Sequence, residues 1–128
     1  SDYEELLELS HGYAVAHVPV KEGSWMAGRT LAQLDLISEG IVVLNMTRKK
    51  GTILGTPTRD TLVQAGDELL CYGRAGELEA LAARETGEAG DEDHKAATAR
   101  HGVRRHAEVV EDKTRKDEAP PATEDDSG

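Results

Sequence analysis

Hydrophobic residues follow short periods in the first two thirds of the chain and become scarce after about residue 83. Residues 13–20, YAVAHVPV, alternate in the manner of a half-buried strand, with small or β-branched side chains on one face. That face carries Ala14, Ala16, Val18 and Val20. Pro19 predicts an edge position for this strand, because proline has no N–H to donate to a neighbouring strand.

The pattern that follows predicts short helices and three further strands. Thr30 and Gln33 have the capping-box spacing, which predicts a short helix over residues 31–36. The predicted strands cover residues 41–48, which should be central, then 52–54 and 68–72, and the closing helix covers residues 75–84. This order predicts an α+β fold, a small β-α-β-β-β-α domain with a mostly antiparallel sheet.

The two ends of the chain differ from this central part. Residues 3–10 have the spacing of a short amphipathic helix, so residues 1–12 are predicted to be a linker or a connecting helix. Residues 13–84 form the predicted domain. Residues 85–128 contain almost no Leu or Ile, bury too little apolar surface to offset the entropy of ordering, and are predicted to be a disordered acidic tail. Within this tail, residues 96–110 favour a transient helix that a partner would stabilise.

Charge and cysteine content narrow the class of function. The 128 residues carry a formal net charge of -10, which argues against a nucleic-acid partner, because phosphate binding needs clustered Lys and Arg. The single cysteine, Cys71, excludes an internal disulfide and favours a reducing compartment, so a cytoplasmic location is expected. No apolar run approaches the roughly 20 residues of a membrane-spanning helix.

Candidate chemistry is sparse. The chain has no dinucleotide fingerprint, phosphate loop or nucleophile elbow, so no catalytic residue, metal ligand or enzyme activity is predicted. Cys71 lies on an apolar strand, where cysteine usually acts as a small hydrophobe. Asp67 follows Gly66 in a tight turn, where its carboxylate is expected to bond a backbone N–H. Trp25 either covers the core from a loop or lies at a dimer or ligand contact.

The residues at turns and at the ends of the predicted elements give the chain a resemblance to a known family. The stretch VPVKEGSWMAGRTLAQLDL is followed by an apolar strand that ends in Arg48 and then by TPTRDTLVQAGDELLCYGRAGELEAL. These segments resemble the C-terminal domain of regulators of potassium conductance, also called the TrkA C-terminal domain. The similar features are a Gly-x-x-Leu helix start, a strand that ends in a basic residue, and a Pro-x-x-Asp-x-x-Leu-x-x-Gly-Asp turn. The resemblance covers about residues 13–83.

The resemblance implies a cytosolic regulatory module of a potassium or other cation transport system, paired as a homodimer with a ligand cleft between the copies. The implied partners are a second copy and a membrane transporter or channel. Some family members bind cyclic di-AMP, but binding of this ligand is disfavoured here. Ile37 replaces the arginine of their binding pattern, and Val43 with Leu44 replaces its Asn-Ile pair. A different small anionic ligand or none is expected, and no cofactor is predicted.

Two sets of site residues follow. The ligand-binding candidates, which combine the resemblance with the basic positions, are Arg29, Leu31, Asp35, Arg48 and Arg59. The dimer-interface candidates are Trp25, Leu34, Ile37 and Val43. Two hypotheses remain open, a ligand sensor and a structural dimerisation unit. Convergence of Arg29, Arg48 and Arg59 at one cleft favours the sensor, and their dispersal favours the dimerisation unit.

Overall fold

The structure is a computed structural model that describes residues 7–8 and 10–120. Its main sheet has five strands in the order β1-β2-β7-β4-β5, and every pairing within it is antiparallel. A small second sheet pairs β3 with β6. The strands are β1 Leu7–Glu8, β2 Tyr13–Pro19, β3 Arg29–Thr30, β4 Val42–Thr47, β5 Ile53–Leu54, β6 Leu62–Val63 and β7 Glu68–Arg74. The predicted α+β class and antiparallel sheet are therefore confirmed.

Three α-helices complete the described part of the chain. They are α1 Leu31–Leu34, α2 Ala75–Ala83 and α3 Glu88–Glu118. Single-turn 3-10 helices lie at Ser10–Gly12 and Leu36–Glu39. None of the helices in the described residues is both long enough and apolar enough to cross a membrane.

Strand β2 provides one side of the core as its alternation predicted. Ala14, Ala16 and Val18 are fully buried, whereas the residues between them are half exposed. The edge position predicted from Pro19 is wrong, because β2 lies between β1 and β7. Strand β1 pairs only with the beginning of β2, so Pro19 faces a ladder partner on the β7 side alone, where it is opposite Glu68.

Strand β4 occupies the predicted central position, between β7 and β5. Its buried residue is Met46, which packs in the core beside Leu69 of β7. The register shifts between Val43 and Asn45, which places Leu44 in an irregularity of the strand. Leu44 has no paired residue in β7 and is 43% exposed, as expected for the extra residue of a β-bulge.

The capping box at the start of α1 is confirmed. The Gln33 amide donates to Thr30 Oγ1 at 3.2 Å, and the Thr30 amide donates to Gln33 Oε1 at 2.9 Å. Helix α1 ends at Leu34, two residues before the predicted end, because Asp35 adopts the left-handed conformation with φ 52°. Aspartate tolerates this conformation better than most residues, since its short polar side chain can bond locally.

The helix predicted over residues 3–10 is wrong where the structure describes it. Leu7–Glu8 pairs as a strand with Val15 and Ala14 of β2. His11 and Gly12 then have φ of 62° and 82°, which no right-handed helix can continue. Residues 3–6 and 9 of the predicted segment lie outside the described residues.

The disorder predicted for residues 85–128 is wrong over residues 88–118, which form α3, a helix of 31 residues and about 46 Å. The helix has no continuous apolar stripe, so the hydrophobic periodicity of this segment did not predict that it packs on the domain. It packs through small residues and charges instead: Gly90 and Ala97 are buried, and exposed pairs such as Glu111 with Arg115 stabilise its outer part. Residues 121–128 lie outside the described residues.

We expect two glycine substitutions in α3 to have opposite effects. A Cβ at Gly90 would overlap the Glu85 carbonyl oxygen and lie 2.7 Å from Trp25 Cδ1, so Gly90→Ala must displace the start of the helix. A Cβ at Gly102 would meet nothing within 4 Å, so Gly102→Ala should stabilise the helix by about 0.5–1 kcal/mol. Urea unfolding of both variants tests this packing, and a stabilising Gly90→Ala would contradict it.

Candidate functional site

The first candidate site is a cavity of about 260 Å³ between α1, β4 and the segment that follows β5, here called the α1–β4 cleft. Five predicted site residues line it, and they come from both predicted sets. They are Leu31, Asp35 and Arg59 of the ligand set and Ile37 and Val43 of the interface set. The structure thus brings together residues that lie up to 28 positions apart in the sequence.

Backbone hydrogen bonds hold Arg59 beside α1. The amide of Leu31 donates to the carbonyl of Thr61 at 3.0 Å, and the amide of Ala32 donates to the carbonyl of Arg59 at 2.9 Å. These bonds satisfy first-turn amides that have no partner within the helix. The loop that contains Arg59 therefore forms one wall of the cleft, and its side chain is exposed at that wall.

Asp35 gives the cleft its carboxylate. The hydroxyl of Ser38 donates to Asp35 Oδ1 at 2.8 Å, and His94 Nε2 lies 3.7 Å from Asp35 Oδ2. The cleft is otherwise largely apolar, and Ile37 at its edge is 65% exposed. An apolar pocket with a few placed polar groups is the usual form of a small-molecule site.

Two of the predicted ligand arginines lie elsewhere. The guanidinium of Arg29 stacks 4.5 Å from the centre of the Trp25 ring and lies 3.5 Å from Asp91 Oδ1. Arg48 Nη1 donates to Asp67 Oδ2 and to the carbonyl of Leu62, both at 2.7 Å. Arg29, Arg48 and Arg59 are therefore dispersed, and the first two are already paired with carboxylates of their own chain.

Asp67 has the turn role that the sequence predicted. Its carboxylate accepts from the Gln64 amide at 2.9 Å, and Gly66 beside it has φ 97°. The carboxylate also holds Arg48, a contact that the sequence alone did not indicate. Arg48 therefore ties β4 to the turn before β7.

Trp25 and Leu34 do not provide an interface in this structure. They are 2% and 0% exposed, so the prediction that they contact a second copy is corrected to a core position. Trp25 is covered by α3: its Nε1 donates to Asp91 Oδ1 at 2.9 Å, and its ring stacks on His94 with 5.2 Å between centroids. The sequence predicted the segment of α3 to be disordered, so no helix was expected to cover Trp25.

A buried charged cluster, which sequence reasoning missed, joins α3 to the domain. Arg84 donates from Nη1 and Nη2 to the two oxygens of Glu39, each at 2.8 Å, and both side chains are almost fully buried. His94 Nδ1 makes a short contact with the same carboxylate, and the Arg84 guanidinium lies 4.8 Å from the Trp25 ring centre. The only available signal was a glutamate before Gly40 and an arginine after α2, which is too common to predict a pair.

A second ion pair fixes α3 further along. Arg100 donates from Nε and Nη2 to the carboxylate of Glu77 on α2, both at 2.8 Å. This hydrogen bonding to Arg100 lowers the pKa of Glu77, with the nearby Arg104 adding to the effect. The hydrogen bond from Trp25 likewise lowers the pKa of Asp91, so both carboxylates stay ionised at neutral pH.

Two observations concern the reactive and metal-binding side chains of the described residues. Burial raises the pKa of the Cys71 thiol to about 12, which keeps it protonated and unreactive. No group of three or more His, Cys, Asp or Glu side chains in the described ranges is placed to hold a metal ion. The fold is thus a small α+β domain with a largely apolar cleft.

Comparison with known proteins gives the family. The family model for the TrkA-C domain matches residues 15–85, and the chain belongs to this family. TrkA-C domains are cytosolic, regulatory domains of ion transport systems and are not catalytic. The chain is also similar to a probable alpha-L-glutamate ligase of Rhodopirellula baltica, with 32% identity over 80 residues. That match covers 62% of this chain and 19% of the relative, so the chain spans about a fifth of the relative's length.

Removing the carboxylate of Glu39 should strongly destabilise the domain. Glu39→Gln leaves the buried Arg84 guanidinium without its counter-charge, and breaking a buried pair in this way typically costs about 3–5 kcal/mol. Asp112→Asn is the matched control, because it removes one carboxylate from an exposed pair with Lys116 and should change the unfolding free energy by less than about 1 kcal/mol. Equal effects in urea unfolding would show that the Glu39 pair is not buried.

Proposed function

We propose that this chain is a ligand-sensing regulatory module of a cation transport system, with potassium as the first candidate ion, and that it acts as a homodimer. The observation that carries the proposal is the α1–β4 cleft, which brings Leu31, Asp35 and Arg59 beside exposed apolar side chains. A ligand bound there would touch α1, β4 and the loop before β6. It would regulate by favouring one arrangement of the dimer over another, which requires different affinities for the two.

Exposed apolar side chains around the cleft support pairing with a second copy. Ile37 is 65% exposed and Val42 is 37% exposed, and both line the cleft. Leu44, which is 43% exposed, follows Val42 on the same strand, β4. Covering such side chains removes apolar surface from water, which favours association. A twofold interface uses the same patch on both copies, so the two clefts would meet at it.

The charges favour a ligand with modest negative charge. Arg59 is the cation among the residues that line the cleft, whereas Arg29 and Arg48 are held by Asp91 and Asp67. Asp35 adds a carboxylate, which would repel a highly charged phosphate unless it accepts a hydrogen bond from the ligand. This arrangement also argues against cyclic di-AMP, since Ile37 supplies no guanidinium.

The alternative is a structural dimerisation unit without a ligand. The dispersal of Arg29, Arg48 and Arg59 favours this alternative, because an anion sensor would gain from their convergence. The relative named as a ligase adds a second alternative for the parent protein, in which the same domain is attached to something other than a transporter. Both alternatives retain the dimer. The first has no ligand, and the second has no transport partner.

The dimer is tested with two isoleucine variants of equal exposure. Ile37→Glu places a charge in the proposed interface and should raise the dimer dissociation constant at least tenfold, because an unpaired charge cannot be covered without loss. Ile53→Glu is the control, since Ile53 is 66% exposed on β5 and does not line the cleft. Sedimentation equilibrium measures both, and a monomeric wild-type chain would contradict the proposal.

The ligand is tested by a thermal-shift scan with cyclic dinucleotides, adenine nucleotides and metal cations. A ligand at one hundred times its dissociation constant stabilises the folded state by about 2.7 kcal/mol, which raises the melting temperature measurably. We expect the shift to disappear in Arg59→Gln and to persist in Lys50→Gln, which removes an exposed cation outside the cleft. A flat response from a dimeric wild type would favour the structural dimerisation unit.

A further inference from the structure

A second cavity, of about 290 Å³, lies between the open face of the main sheet and α3, and is here called the α3–sheet cleft. The sheet contributes Tyr13, Tyr72 and Arg74, and α3 contributes Arg104 and Arg105. The helix side of this cleft begins beyond residue 85, where the match to the TrkA-C domain ends. The cleft therefore depends on a part of this chain that the family domain does not include.

The cleft is rich in cationic groups that are not fully paired. Neither Arg74 nor Arg105 forms an ion pair with any residue in the described part of the chain, and Arg104 Nη2 is 3.6 Å from Glu77. The Nε–H groups of Arg74 and Arg104 are buried and have no acceptor there. Leaving a buried donor unsatisfied costs about 1–3 kcal/mol, so an acceptor that reaches these side chains would be favoured.

The acidic residues of the cleft do not cancel this charge. Glu39 is neutralised by its two hydrogen bonds from Arg84. Glu108, at the outer edge, is exposed and forms no ion pair within the described ranges. Arg74 and Arg105 thus face one free carboxylate, and Arg104 adds a third guanidinium whose ion pair is the 3.6 Å contact with Glu77, in a chain whose formal net charge is -10.

The guanidinium of Arg74 is also held in place. Tyr13 and Tyr72 stack with 5.6 Å between ring centroids, and the guanidinium of Arg74 lies 5.1 Å from the centre of the Tyr13 ring. Fixing an arginine before a ligand arrives reduces the entropy lost on binding. Arginine also presents two parallel donors that match phosphate oxygens.

We infer that the α3–sheet cleft binds a small organic phosphate, with Arg74, Arg104 and Arg105 contacting the phosphate group. The volume lies near the lower end of small-molecule sites, about 300–1,000 Å³, and so suits a phosphate with a compact organic group. His101 lies at the same cleft and packs over Gly40, where a Cβ would be 2.6 Å from its Nδ1. Because the ligand contacts both α3 and the sheet, its binding stabilises the docked helix. This site shares Ile37 and Val42 with the α1–β4 cleft but uses different arginines, and the inference does not require the proposed dimer.

Nuclear magnetic resonance titration of the 128-residue chain with inorganic phosphate and with adenosine 5′-monophosphate tests the inference. We expect amide shifts at Arg74 and at residues 101–108, and a dissociation constant at least about tenfold higher in Arg105→Gln, which loses a charge-assisted contact. Arg115→Gln is the matched control, because it removes the same charge from the same helix at an exposed position outside the cleft.

Four outcomes would overturn the inference. The first is the absence of shifts at millimolar concentrations of both probes. The second is an equal loss of affinity in Arg105→Gln and Arg115→Gln, which would show attraction to overall charge alone. The third is binding that Arg59→Gln abolishes and Arg105→Gln preserves, which would move the ligand to the α1–β4 cleft and support the proposed sensor instead. Protein that sediments with phosphatidylglycerol vesicles but shows no shift with adenosine monophosphate would likewise replace the soluble ligand with a lipid headgroup.

Discussion

The buried ion pair between Glu39 and Arg84 holds three parts of this chain at one place. Glu39 ends the 3-10 helix Leu36–Glu39, Arg84 follows α2, and His94 on α3 contacts the same carboxylate. A buried charge is costly unless it is paired and hydrogen-bonded. The residues that satisfy Glu39 therefore cannot separate without a large loss of free energy, and the position of α3 follows from that constraint.

Both candidate clefts depend on this arrangement. The 3-10 helix supplies Ile37 at the wall between them, because Ile37 and Val42 line each cleft. Helix α3 closes the second cleft and covers Trp25, which becomes part of the core instead of a surface. The folded unit therefore extends beyond residue 85, the end of the family domain, at least to Arg104.

Sequence patterns predicted those elements in which local chemistry and burial agree. The alternation of β2 and the Thr30–Gln33 capping box have short-range causes, and the structure confirms both. Strands β3 and β6 were missed: like β5, each has two residues, which is too short for a period, but no hairpin turn such as the one at Gly51 marks them. Helix α3 was missed because charges and small residues dock it, and its polar contacts with the domain span 23 to 66 positions, which leaves no local pattern. The α1–β4 cleft was partly predicted, because the family resemblance identified Leu31 and Asp35 and the basic positions identified Arg59. Arg29 and Arg48 were wrongly assigned to the same site, because the carboxylates that hold them lie far away in sequence.

The central claim is that α3 belongs to the folded domain, and native-state hydrogen exchange measures this most directly. Amides near residues 91–104, where α3 contacts the domain, should exchange only when the domain opens, at a rate set by a free energy close to that of global unfolding. Amides from about residue 106 to residue 118, where the described side chains are exposed, should exchange much faster. Rapid exchange along all of α3 would contradict the account, since it would show that the Glu39 cluster does not hold the helix to the domain.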